Sequence, residues 1–233
     1  MELSNCVALV TGANRGIGRR FAEQLLARGA KVYATARKPE SIDIPGASVL
    51  QLDITDPASV SAAAAVASDL TLLVNNAGIS TYTNLIAGDL DKIKLEMDTH
   101  YFGTLSVVRA FAPILGNNGG GAILNVLSAL SWFSYDGANA YAAAKAAQWS
   151  LTNGIRLELA RQGTLVTGLH LGAADTDMMA GYAGSMLDPA DVARIALEGV
   201  QAGKLEVIAD DWSAHVKASL ANDPSLFYLP TGD

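Results

Sequence analysis

Short β-branched runs separated by longer segments of helical periodicity recur along all 233 residues, and this alternation constrains the fold more than any other feature of the chain. Strands joined by helical crossovers run parallel, and helices then cover both faces of the sheet. The runs are Val7–Val10, Lys31–Ala36 and residues 49–52, 71–74, 122–127, 164–170 and 205–209, about seven strands in all. Between them, Ile17, Phe21 and Leu25 repeat at four-residue spacing and Gly29 supplies a stop. Asp56-Pro57 and Asp188-Pro189 each read as a helix cap followed by Pro at the first helical position. One helix is expected over 91–115, with Ile93, Met97, Tyr101, Leu105 and Val108 on a single stripe, and another over 139–162, ended by Gly163. The expected class is α/β, a doubly wound parallel sheet.

Half of the residues are hydrophobic and 17% are charged, so the chain can bury a large core, and no linker-like stretch divides it; one domain over 1–233 is expected. A net charge of -7 without a run of Lys or Arg disfavours a nucleic-acid partner. Cys6 is the only cysteine, which suits a reducing compartment. Glu2 stands where a signal peptide needs positive charge, and Asp69 interrupts the longest alanine- and leucine-rich region, so neither a leader nor a membrane span is expected and the location is read as cytoplasmic. His100, His170 and His215 lack ligand spacing, so no metal site is expected.

Two local patterns carry chemistry. The turn Thr11-Gly12-Ala13-Asn14-Arg15-Gly16-Ile17-Gly18 directly follows a strand and opens a helix, the setting in which backbone N–H groups and the positive helix end hold a pyrophosphate. Tyr141 and Lys145 lie four apart on one helix face, where an ammonium can lower the pKa of a phenol from its usual value of about 10. Ser128 follows the strand 122–127 directly; Ser131 is its rival. Each pattern alone has an ordinary reading, a plain strand-to-helix turn or a surface Tyr/Lys pair.

Together with Asn75-Asn76-Ala77-Gly78 after the fourth strand, these motifs resemble the short-chain dehydrogenase/reductase family over nearly the whole chain. The resemblance implies a Rossmann-type fold and a nicotinamide dinucleotide. It implies Gly12, Asn14, Arg15, Gly16, Ile17 and Gly18 as the phosphate cradle, Asp53 and Ile54 beside the adenine, Asn75, Ala77 and Gly78 beside the ribose, and Thr176 on the carboxamide. Tyr141 would be the acid, Ser128 the group that orients the carbonyl, and Lys145 both the modulator of the phenol and a ribose ligand. Asp53 has the alternative reading of a strand-end cap.

After the second strand the chain has Arg37 and Lys38, where an acidic residue would favour NAD, and Arg15 lies in the glycine turn; this pattern is similar to NADPH-preferring members, so NADP(H) is expected. The other reading of Arg37 and Lys38 is solvated loop charge. His100 stands where the family usually has an Asn in a proton relay; an imidazole can join such a chain or simply pack the helix. A second departure is Leu171-Gly172-Ala173-Ala174, where many members have Pro-Gly.

The segments 129–139 and 173–187 are expected to wall a substrate pocket through Trp132, Tyr135, Ala173, Met178 and Tyr182, the second acting as a lid. Neither contains Lys or Arg, which favours an uncharged apolar or aromatic ketone or aldehyde. The resulting expectation is an NADPH-dependent carbonyl reductase, reversible to alcohol oxidation, on a small-molecule substrate and forming a homo-oligomer, a dimer or tetramer. An NADH-dependent, sterol-like or imine-directed member of the family, or a non-catalytic NADP(H)-binding regulator, are the alternatives.

Overall fold

Every interior residue of strand β1 (Val7–Val10) is buried, and its side chains alternate between two cores: Ala8 and Val10 face one, Leu9 the other. A strand covered on both faces has no room for a polar side, which is why these runs are continuously apolar. The computed structural model describes residues 1–228. The remaining strands are β2 (Lys31–Ala36), β3 (Ser48–Gln51), β4 (Leu72–Asn75), β5 (Ala122–Val126), β6 (Leu165–His170) and β7 (Glu206–Ile208). They form one seven-stranded sheet in the order β3-β2-β1-β4-β5-β6-β7, with every pair parallel.

Helix α1 (Gly16–Ala27) covers one face, where Phe21 and Leu25 pack with Val192 and Ala196 of a helix formed later in the chain over Pro189–Gln201. The other face is covered by α2 (Pro57–Val66) and by two long helical stretches that supply Phe111, Leu115, Leu151 and Ile155. Both caps read from sequence are present: Asp56 accepts from Ala58 N–H at 2.9 Å and Asp188 from Ala190 N–H at 2.7 Å. The strand order reverses between β1 and β4, and the crevice beyond their carboxyl ends is where a doubly wound sheet receives ligands.

The expected single helix over 91–115 differs. It is built of α3 (Leu90–Met97), a widened π-helical segment (Asp98–Gly103) and α4 (Thr104–Asn117). A π-helical turn inserts a residue and shifts the facing side chains, and such turns gather at functional positions. Helix α5 (Asn139–Glu158) ends earlier than residue 162 because the chain tightens into a 3₁₀ turn before Gly163, whose φ is +76°. Helix α6 is the Pro189–Gln201 segment, and two further helices, α7 (Asp211–Ala218) and α8 (Ser225–Tyr228), follow β7 where the sequence reading placed none. Among the described residues no helix is long and apolar enough to cross a membrane.

Candidate active site

The glycine turn is held by its neighbours from below. Thr11 N–H donates to the Val74 carbonyl at 3.0 Å, and the N–H groups of Asn76 and Ala77 both donate to Thr11 Oγ1 at 2.9 Å. Asn76 Nδ2 donates to the carbonyls of Thr11 and Gly12 at 2.9 and 3.2 Å, and Ala13 N–H donates to the Thr35 carbonyl at 2.9 Å, laying the turn across the end of β2. The chain reverses at Gly12 (φ +65°) and Gly16 (φ +55°), a region that favours glycine, and a Cβ on Gly18 would collide with the Gly12 carbonyl oxygen and Asn76 Nδ2. Among the described residues no side chain caps the start of α1, so the N–H groups of its first turn point into the cradle. These observations fit a dinucleotide pyrophosphate.

Around the cradle the predicted contacts divide. Thr176 stands opposite, its Cγ2 3.2 Å from where a Gly16 Cβ would be. Arg37 is exposed two residues beyond Thr35, but Arg15 is paired across the cleft with Asp177 at 3.0 Å. Asp53 Oδ1 accepts from both Thr55 N–H and Thr55 Oγ1, so half of its carboxylate is committed to a strand-end turn, the alternative reading of this residue. The side chains of Ile54 and Asn75 are turned into the fold. Ile54 is buried against Gly103, and the Asn75 amide donates into the sheet to Asn125 Oδ1 at 2.8 Å, with Asn125 in turn donating to Thr152. Asn14 is half-buried in the glycine turn, Ile17 packs on the core beneath it, and Gly78 lies against the His100 ring.

Ser128, Tyr141 and Lys145 converge at the end of β5. The Ser128 hydroxyl lies near enough to the Tyr141 phenol to lower its pKa, although no hydrogen bond joins the two among the described residues, and the Lys145 ammonium nitrogen lies 5.6 Å from the Tyr141 ring centre. Ser128 Oγ accepts from Leu130 N–H at 3.1 Å, leaving its own hydrogen to donate. The rival Ser131 is turned the other way, its Oγ accepting from Ser128 N–H at 3.2 Å, so it secures the backbone of Ser128. Two of the three Lys145 donors are fixed, to the Val126 carbonyl at 2.8 Å and Gln148 Oε1 at 2.9 Å, while Gln148 Nε2 donates to Thr104. The start of α5 is anchored by Asn84, whose Oδ1 accepts from Gly137 N–H and Asn139 Nδ2.

The expected electrostatics of this pair change on burial. Lys145 is only 4% exposed, and burial lowers its pKa to about 7, with the Glu96 carboxylate opposing. Burial likewise pushes the Tyr141 phenol above its ordinary value, countered by the Ser128 hydroxyl and reinforced by Glu96 and Tyr82. In the protein alone, therefore, the lysine does not bring the phenol below 10 as the sequence reading expected; near neutrality it is itself close to half protonated.

His100 packs edge-on against Tyr141, ring centres 5.2 Å apart at 89°, with Nε2 2.8 Å from the Ile79 carbonyl oxygen. Its pKa is lowered, first by burial and then by Lys145. Behind Ser128, His170 Nδ1 donates to the Ser128 carbonyl at 3.1 Å and its ring stacks on Trp132 at 3.7 Å. Trp132 is thus 8% exposed and packs on His170, and it borders a cavity of about 130 Å³ with Phe133, Phe227 and Tyr228. Tyr135 and Tyr182 are exposed, while Ala173 and Met178 are half-buried. The 173–187 segment is pinned at its base, Leu187 N–H to the Ala173 carbonyl at 2.8 Å and Asp175 N–H to the Leu187 carbonyl at 2.9 Å. Tyr82, in the left-handed region at φ +51°, donates its hydroxyl to the Met178 carbonyl, bringing the loop after β4 onto that segment.

Sequence reasoning missed Asn76, Tyr82, Glu96, Gln148 and His170. Asn76 was within a quoted motif, but the others are isolated polar residues in helices, strands or loops and carry no spacing signal. Among the described residues no group of three His, Cys, Asp or Glu side chains is placed to hold a metal ion.

A family model described as short chain dehydrogenase matches residues 6–185. The chain is 31% identical over 218 residues to an uncharacterized oxidoreductase of Staphylococcus saprophyticus, covering 86% of this chain and 93% of that one. It is 34% identical over 188 residues to a 3-oxoacyl-[acyl-carrier-protein] reductase of Salmonella typhimurium, covering 76% and 77%. Among solved structures it is similar to a short chain dehydrogenase from Burkholderia cenocepacia in complex with NADP, with a TM-score of 0.93, 37% identity and 97% of each chain covered.

Proposed function

The chain belongs to the short-chain dehydrogenase/reductase family of oxidoreductases, and from that premise we propose that it is an NADPH-dependent reductase of uncharged apolar or aromatic ketones and aldehydes, reversible to alcohol oxidation. The observation that carries this reading is the convergence of Ser128 and Tyr141 beside a buried Lys145 beyond the carboxyl end of β5, two strands from the glycine cradle on the same edge of the sheet. NADP in the similar Burkholderia structure, with Arg37 at the end of β2, supports the choice of cofactor.

NADPH bound in the crevice supplies the hydride. Reduction leaves developing charge on the carbonyl oxygen, and the side chains answer it. Tyr141 gives its phenolic proton to that oxygen, and Ser128 donates a hydrogen bond that fixes its position. Lys145, with one N–H beyond those held by Val126 and Gln148, returns a proton to the phenolate or receives one in the reverse direction. A lysine whose pKa is about 7 exchanges protons near neutrality, which suits that task. Burial of Tyr141 keeps the phenol protonated until a carbonyl is present.

The absence of Lys and Arg from 129–139 and 173–187 supports an uncharged substrate, and the pinned base of the second segment supports a lid confined to the residues between Ala174 and Leu187. The groove lined by Tyr101, Leu105, Leu151 and Ile155, with Phe102 exposed beside it, supports self-association through α4 and α5. NADPH oxidation with a panel of aromatic ketones tests the activity: turnover in the wild type and a loss of about 10²- to 10⁴-fold in Tyr141→Phe are expected. NADPH binding without turnover of any carbonyl overturns the reductase reading in favour of a redox-state sensor.

A further inference from the structure

We propose that Glu96 is a positioning residue for His100: it holds the imidazole with its hydrogen on Nε2 and balances the charge when Nδ1 takes up a proton, so that the two form one proton-holding unit beside Tyr141 and Lys145. The use of that proton in carbonyl reduction rests on the reading above; the arrangement of the pair does not.

Glu96 is 0% exposed in α3, and His100, one turn later in the π-helical segment, is 0% exposed as well. Buried carboxylates are rare unless paired, and Glu96 has no Lys or Arg partner among the described residues. Its Oε1 accepts from Thr81 N–H at 2.5 Å. Its Oε2 stands 3.3 Å from His100 Nε2 without an aligned hydrogen bond and has no other partner, so it acts on the ring as a charge. The Ile79 carbonyl oxygen is 2.8 Å from the same nitrogen. Two oxygens face Nε2, the nearer at 2.8 Å, and they favour the hydrogen on Nε2 over the longer 3.4 Å approach of Ile79 N–H, which competes for the same nitrogen.

The other ring nitrogen, Nδ1, is buried with no partner among the described residues. In this tautomer it presents a lone pair and can accept a proton. The groups facing the ring are Glu96 from α3, the Ile79 carbonyl from the loop after β4, and Tyr141 and Lys145 from α5. Room for the ring comes from Gly78, where a Cβ would lie 2.7 Å from His100 Cε1. Lys145 opposes the imidazolium and Glu96 favours it, and Glu96 also raises Lys145. A proton passing from the Lys145 ammonium to Nδ1 breaks one N–H bond and forms another, giving imidazolium beside carboxylate and a neutral amine; the reverse transfer restores the neutral imidazole and the ammonium. Holding Thr81 needs one oxygen of Glu96 and leaves the empty Nδ1 without a role, whereas proton holding accounts for both.

The test is an ¹⁵N and ¹H titration of His100 in the cofactor-free protein, wild type and Glu96→Gln, with kcat against pH for both and for His100→Asn and the double variant. Gln keeps the Thr81 acceptor and removes the charge. Hydrogen on Nε2 in the wild type is expected, with the titration midpoint moving to lower pH in E96Q and kcat falling on the order of tenfold. In the H100N background E96Q should make no further difference. Hydrogen on Nδ1, an unmoved midpoint, or an undiminished E96Q effect in H100N each overturns the proposal; if E96Q does not fold, the wild-type tautomer decides. A wild type that turns over no carbonyl defeats the reductase reading while leaving the titration result to stand.

Discussion

His170 Nδ1 lies 3.1 Å from the backbone carbonyl oxygen of Ser128, so the last residue of β6 holds the second residue beyond β5. The donor must be Nδ1–H of a neutral ring, and burial, opposed by this same hydrogen bond, lowers the pKa to about 4 from an ordinary value of 6.5. Between those values the native state binds fewer protons than the unfolded chain, so stability falls as pH drops from 6.5 to 4.

His170→Phe removes that titration and one of the two donors to the Ser128 carbonyl, which keeps Ser131 N–H at 3.0 Å, at a cost of about 0.5–1.5 kcal/mol at pH 7. Urea unfolding at pH 7 and pH 5 should show the variant losing less stability on acidification than the wild type. A parallel decrease in both proteins would separate His170 from the acid sensitivity. A fall in kcat is expected alongside, because the backbone of Ser128 is less firmly held.

Lys145 behaves in the alkaline direction. Its native pKa of about 7, against 10.5 for the free side chain, means that burial of the charge destabilises the fold in full below pH 7. That penalty is lost as pH rises from 7 to 10.5, where the unfolded lysine also becomes neutral. Lys145→Met has no such titration. The stability of the wild type relative to K145M should therefore rise steadily between pH 7 and 10, measured by chemical unfolding; a constant difference would show that Lys145 stays charged in the native state.

Gly18→Ala should damage the cradle more than its one methyl suggests. The added carbon meets the Gly12 carbonyl and the Asn76 amide, which is itself tied to Thr11, so neither neighbour can simply rotate away. Overpacking of this kind destabilises by about 1–3 kcal/mol, and the displaced turn should bind NADPH at least tenfold more weakly in a fluorescence titration. Wild-type affinity in G18A would mean that the turn does not hold the cofactor.

Much of the architecture was legible because buried parallel strands have to be apolar throughout and helix caps use few residue types. Val7–Val10, Asp56-Pro57 and Asp188-Pro189 each declare themselves within a few residues. The π-helical turn at Asp98–Gly103 was not legible, since a one-residue slip leaves the apolar stripe almost unchanged. Glu96 lies in a run of alternating charges, Asp91-Lys92-Ile93-Lys94-Leu95-Glu96, and reads there as a solvated helix residue; only the slip and the loop after β4 enclose it. Ser128, Tyr141 and Lys145 were found by their spacing, but the lowering of the lysine's pKa by burial depends on the packing around it, which no spacing encodes.

Cofactor choice turns on two arginines in different states. Arg37 is exposed beyond β2 with no side-chain partner among the described residues, whereas Arg15 is paired with Asp177 of the 173–187 segment. Both members of that pair are more than two-thirds exposed, so it is weak and a 2′-phosphate can compete for Arg15. Under the proposed NADPH reading, Arg37→Asp replaces the expected phosphate partner by a like charge, and the ratio of kcat/KM for NADPH to that for NADH should fall by at least tenfold. Asp177→Asn frees Arg15 and should lower KM for NADPH by no more than about threefold, the scale of an exposed ion pair. An unchanged cofactor ratio in R37D would remove Arg37 from the site, and a KM for NADPH that rises in D177N would mean that Asp177 supports the bound state instead of competing with it.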